Sequence, residues 1–88
     1  MEKIKTKDIR ESVRRNMRSV TAIRAECAGI KKELDAALDA MSEEEAITRE
    51  GIRTWMASVK LGSVCDWLSD ALVCLGKAAK ELEDIENA

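Results

Sequence analysis

The stretch TKDIRESVRRNMRSVTAIRAECAGIKKELDAALDAM, residues 6–41, decides the fold. Its apolar side chains fall at Ile9, Val13, Met17, Val20, Ile23, Cys27, Ile30, Leu34, Leu38 and Met41. Each step is three or four residues, which winds them onto one side of an α-helix and excludes strand alternation. Val13, Val20, Cys27, Leu34 and Met41 recur at every seventh position, with Ile23, Ile30 and Ala37 as the companion row, a pattern suited to near-parallel packing of long helices. Thr6 is a candidate cap, Asp8 suits the positive end of the helix dipole, and no Pro interrupts the stretch. At 1.5 Å per residue such a helix is about 50 Å long. A compact globule of 88 residues cannot cover it. It requires an antiparallel arm of similar length, from the same chain or from another copy.

The rest of the chain supplies that arm. Ser42 and Glu45 have capping-box spacing, and Glu43 and Glu44 add negative charge where a helix amino terminus favours it, so a second helix starts there. Its first turns carry Ile52, Trp55, Met56 and Val59 on one side. From Leu61 onward the apolar row is Leu61, Cys65, Leu68, Leu72, Leu75, Ala79 and Leu82, which lies on a different side of a continuous helix. Gly62 can serve as a helix-terminating residue, and Ser63 with Asp66 repeats the capping-box spacing. The pattern therefore predicts a helix over about 7–41, one over about 43–60, a break or kink at 61–63, and a helix over about 64–86. The fold class is all-α: a long first helix antiparallel to a kinked or broken second arm, a helical hairpin or three-helix bundle in one domain.

Composition agrees. The chain has no Pro, Tyr, Phe or His, four Gly and 36% charged residues. One domain of this length buries about 60–65% of its unfolded surface, and association would add to that. Beside the main row, the last segment carries a second apolar stripe of Val64, Trp67, Ala71, Cys74, Ala78 and Ile85. So wide a face implies two sets of neighbours, the basis for expecting a homo-oligomer, a dimer or higher, with Trp67, Leu72, Val64 and Cys74 at the interface. The amino-terminal residues are charged, and the longest apolar run, Ala71 to Leu75, is far too short to span a bilayer, so a cytoplasmic protein without membrane contact is expected. Three cysteines, Cys27, Cys65 and Cys74, form no disulfide framework and are read as reduced, packed thiols.

The net charge of −2 conceals a polarity. Residues 1–24 hold eight basic and three acidic side chains, while residues 25–50 hold three and eight. Basic residues at the start of helix one, and Glu81, Glu83, Asp84 and Glu86 at the chain end, both oppose their own helix dipoles. Bringing the two ends together offsets both, which favours a hairpin.

Catalytic equipment is sparse. Without His or Tyr the commonest acid–base groups are missing, and no Ser or Cys sits in a nucleophile motif. In length, long first helix and arginines the chain is similar in architecture to the all-helical chorismate mutases. Arg10, Arg14, Arg15, Lys31 and Lys32, however, have none of the acidic and amide partners such a site requires. Three scattered Cys match no zinc spacing, and no Glu-x-x-His pair is available for a bundle metal site, so neither metal nor cofactor is expected.

Lys7, Arg10, Arg14 and Arg18 recur at steps of three and four as a basic stripe. Such a stripe is a solvated, ion-paired face or an anion site suited to phosphates. No aromatic residue lies near it, which disfavours stacking on single-stranded nucleic acid. A helix-turn-helix drawn around Gly62 would put Asp66 and Asp70 in its recognition helix, where phosphate repulsion argues against it. The expected function is thus a non-catalytic interaction protein that self-associates and binds a protein partner, in the manner of small inhibitors or accessory factors of phages and mobile elements. The alternative is a binder of a phosphate-bearing small ligand or nucleotide through the arginine stripe.

Overall fold

A computed structural model describes residues 6–88. Two long helices, α1 (Thr6–Asp39) and α3 (Arg49–Glu86), pack against each other and are joined through a one-turn helix, α2 (Glu43–Ala46). There is no strand among the described residues. The result is a rod with extents of 71 × 15 × 14 Å.

The arms are antiparallel. Arg10 pairs with Glu86, Arg14 with Glu83, Arg24 with Ser69 and Asp35 with Ser58, so position falls along α3 as it rises along α1. The long helix thus finds its covering arm in its own chain. The basic start of α1 and the acidic end of α3 meet, offsetting two unfavourable dipole arrangements at once.

The connector is tightly specified. Ser42 caps α2 with a full capping box: its Oγ accepts from Glu45 N at 3.2 Å, and the Glu45 carboxylate accepts from Ser42 N at 3.3 Å. A second cap stands at Thr48, whose Oγ1 accepts from Gly51 N at 3.2 Å and donates to Glu45 O at 2.6 Å. The arm expected over 43–60 is therefore interrupted at Ile47 and Thr48 rather than continuous from Glu43. Gly51 is buried there, and a Cβ on it would stand 2.5 Å from the carbonyl oxygens of Ala46 and Glu45. Only glycine lets the backbone close this turn.

The break expected at 61–63 is absent: α3 runs unbroken through it, and Gly62 has no positive φ. Ser63 caps nothing; its Oγ bonds back to Val59 O at 3.5 Å. The physical reason is a second row at steps of three and four: Gly51, Thr54, Ser58, Leu61, Cys65, Leu68, Leu72, Leu75, Ala79 and Leu82 are all buried or half-buried. This row needs no change of phase. It starts with small and polar residues, which the apolar pattern overlooks. Gly62 fits beside it by letting the Lys31 stem approach, since a Cβ at 62 would meet Lys31 Cε at 3.1 Å.

The companion row of α1 also differs from expectation. Beside Val13, Val20, Cys27, Leu34 and Met41, the half-buried positions are Arg10, Ser12, Met17, Lys31, Asp35 and Leu38. Ile9, Ile23 and Ile30 are instead 54%, 48% and 50% exposed. Ala37 is exposed too. Thr6 does not cap α1; it lies within the helix, with its Oγ1 buried and unpartnered among the described residues.

Candidate functional site

The basic stripe is partly consumed by the fold. Arg10 Nη1 lies 2.6 Å from the Glu86 carboxylate, with both side chains about four-fifths covered. Arg14 Nη2 is 3.7 Å from Glu83, in a looser and more exposed pair. Lys7 and Arg18 are exposed, and neither forms an ion pair among the described residues. Arg14 and Arg18 border a shallow, open depression together with Met17 and Thr21. The four cations thus divide into a structural pair, a loose pair and two solvated charges rather than converging on one point.

A second polar system lies further along the seam. The Asp35 carboxylate accepts from Lys31 Nζ at 2.8 Å and from the Ser58 hydroxyl of the other arm. Hydrogen bonding to Lys31 first, and to Ser58 second, holds the Asp35 carboxyl below its usual value. Arg24 Nε donates to Ser69 Oγ at 2.7 Å, and that hydroxyl donates to Cys65 O at 3.0 Å. These groups tie the arms together. Pattern reading missed them because Ser58 and Ser69 are isolated polar residues whose role depends on what faces them.

Among the residues expected at an interface, Trp67 is 67% exposed, Cys74 is exposed and Val64 is half-buried. Leu72 belongs to the row facing α1, so the structure separates it from the other three. Cys74 is therefore not a packed thiol, whereas Cys27 and Cys65 are half-buried; all three are free. Trp55 is 58% exposed and stands with Ile52, Met56 and Val59 on the outer side of α3. Among the described residues, no group of His, Cys, Asp or Glu could hold a metal ion, and no helix is long and apolar enough to cross a membrane.

The described residues therefore display charged side chains of both signs together with many outward apolar residues on a rod of two helices. No family model matches the chain, and no curated protein or solved structure matches it.

Proposed function

We propose that this chain is a non-catalytic interaction protein, a helical hairpin that self-associates and presents its surface to a protein partner. One observation carries the reading: large apolar side chains point outward along the rod, while the leucines between the arms are only half-buried and, among the described residues, Ala79 is the one buried apolar side chain. An assembly is the ordinary destination of such a surface. A role as an inhibitor or accessory factor is compatible with a small rod that acts by covering a partner.

The test is native mass spectrometry of gently purified protein, then capture with the wild type and with a Trp55→Ala/Met56→Ala variant. A partner that co-purifies stoichiometrically with the wild type and is lost with the variant supports the reading. A bare chain that retains no protein counts against it.

The alternative, a phosphate-bearing ligand on the stripe, rests on Arg14 and Arg18 bordering one depression. A bound mass of a few hundred daltons that disappears in Arg14→Gln/Arg18→Gln would establish it. Arg10 is unsuited to that task, because Glu86 already occupies it. Nucleic-acid binding is the weakest reading, for want of any stacking platform beside the stripe.

A further inference from the structure

The two flanks of the hairpin are chemically opposite. On one flank lie Arg14, Asp35, Ser69 and Glu83, whose ion pairs and hydrogen bonds close the gap between the arms. Helix geometry assigns the other flank to the row of every seventh residue from Ile9 to Ala37 on α1, and to the row from Ala57 to Ile85 on α3. Neither row contains a charged residue, and Asn16 is the sole polar side chain in them.

This asymmetry is informative. A self-sufficient pair of helices needs only its two seam rows apolar and places charges on both flanks. A helix that also faces a further layer adds one apolar flank, the arrangement of helices in a four-helix bundle. Here both arms add the same flank.

The surface area points the same way. The chain exposes 6955 Å², whereas a compact monomer of 9.8 kDa exposes about 5,200 Å². The excess of roughly 1,800 Å² per chain lies in the range that each protomer contributes to an obligate homodimer.

We infer that the flank of Ile9, Ile23, Ile30, Val64, Ala71 and Ile85 is covered by a second copy of this chain, making a two-fold four-helix bundle. A straight, uncharged row about 40 Å long requires a partner helix of matching length and spacing, and the same flank of a second hairpin supplies one. An interface built from one patch used twice is the ordinary form of a dimer. The inference rests on the self-association proposed above and specifies its face. Trp67 and Cys74 border this flank on α3, whereas Ile52 and Val59 stand on the opposite outer side and stay free for the partner.

Sedimentation equilibrium of the full chain tests it, with Ile23→Glu/Ile30→Glu on the flank and Ile52→Glu/Val59→Glu as the control. The wild type should have twice the mass of the 9.8 kDa chain. The flank variant should dissociate at least about tenfold more readily, and the control should keep the wild-type mass. If the flank variant fails to fold at micromolar concentration, the wild type decides: a melting temperature that rises with protein concentration supports the inference. Trp67 emission in a Trp55→Phe background should also lie further to the blue in the assembled protein than in the flank variant. A wild-type mass other than double, a flank variant that remains dimeric, or dissociation of the control alone would each overturn the inference. A monomer would leave the partner reading to be decided by its own capture experiment.

Discussion

Across the hairpin, the Ser58 hydroxyl donates to the Asp35 carboxylate, which also accepts from Lys31 one turn earlier on its own helix. One carboxylate thereby ties α1 to α3 opposite the part of α3 where the seam is smallest and most polar. Both bonds favour the ionised form and hold the Asp35 carboxyl below its ordinary value. A carboxyl lowered in the folded state stabilises the protein above its unfolded-state pKa. That stability is lost as pH falls through the lower, folded-state pKa. Thermal melts from about pH 6 to about pH 2 should therefore show an acid decline that is shallower in Asp35→Asn than in the wild type. An identical decline in the two proteins would remove Asp35 from the account. Ser58→Ala should give an intermediate slope, because Lys31 remains.

Gly51→Ala should be among the most damaging small substitutions. The added Cβ would lie 2.5 Å from two backbone carbonyl oxygens of the connector, and backbone cannot swing aside as a flexible side chain can. The expected loss is about 1–3 kcal/mol, from displacing α2 relative to α3. Urea unfolding measures it, and a neutral result would show that the turn at Ile47 and Thr48 relaxes freely.

Gly29 and Gly62 should behave in the opposite way. Nothing lies within 4 Å of a Cβ at Gly29, so Gly29→Ala should add about 1 kcal/mol through helix propensity alone. At Gly62 the new methyl would press on the end of the Lys31 stem, which can shift, so Gly62→Ala should be neutral or stabilising by up to about 1 kcal/mol. A clear destabilisation at position 62 would indicate that α3 needs to bend there.

These glycines mark where the sequence was legible and where it was not. Long-range helical periodicity, the Ser42 cap and the meeting of basic and acidic ends are local or additive signals, and they determine the two-arm fold. The continuity of α3 is not legible, because Gly62 and Ser63 carry the same residue types as a true helix boundary. What keeps the helix intact is a seam of Gly51, Thr54 and Ser58, which looks solvent-facing until α1 lies beside it. Likewise, Ile23 and Met17 are both at heptad-compatible positions with respect to Val20. The apolar pattern cannot choose between them, whereas the pairing of Arg10 with Glu86 and Arg24 with Ser69 brings the Met17 side inward. The second apolar stripe of α3, with Trp67, Val64 and Cys74, is legible from stripe width, but placing Leu72 on the row that faces α1 required the rotation of α3.

The same rotation makes Arg10 a structural residue, and this can be measured. Its guanidinium is about four-fifths covered and holds Glu86 at 2.6 Å at the open end of the hairpin, where no connector restrains the arms. Glu86→Gln leaves the arginine charge partly buried and without its counter-charge, which should cost about 1–2 kcal/mol. The loss should be smaller in high salt, because screening weakens the original pair. Arg14→Gln, which disturbs only a 3.7 Å pair between half-exposed side chains, should cost less than about 0.5 kcal/mol. Hydrogen exchange gives the sharper readout: in Glu86→Gln, amide protection should fall in the first turns of α1 and the last turns of α3, with the connector end unchanged. Equal loss of protection along both helices would mean that the pair contributes to global stability without specifically closing the open end.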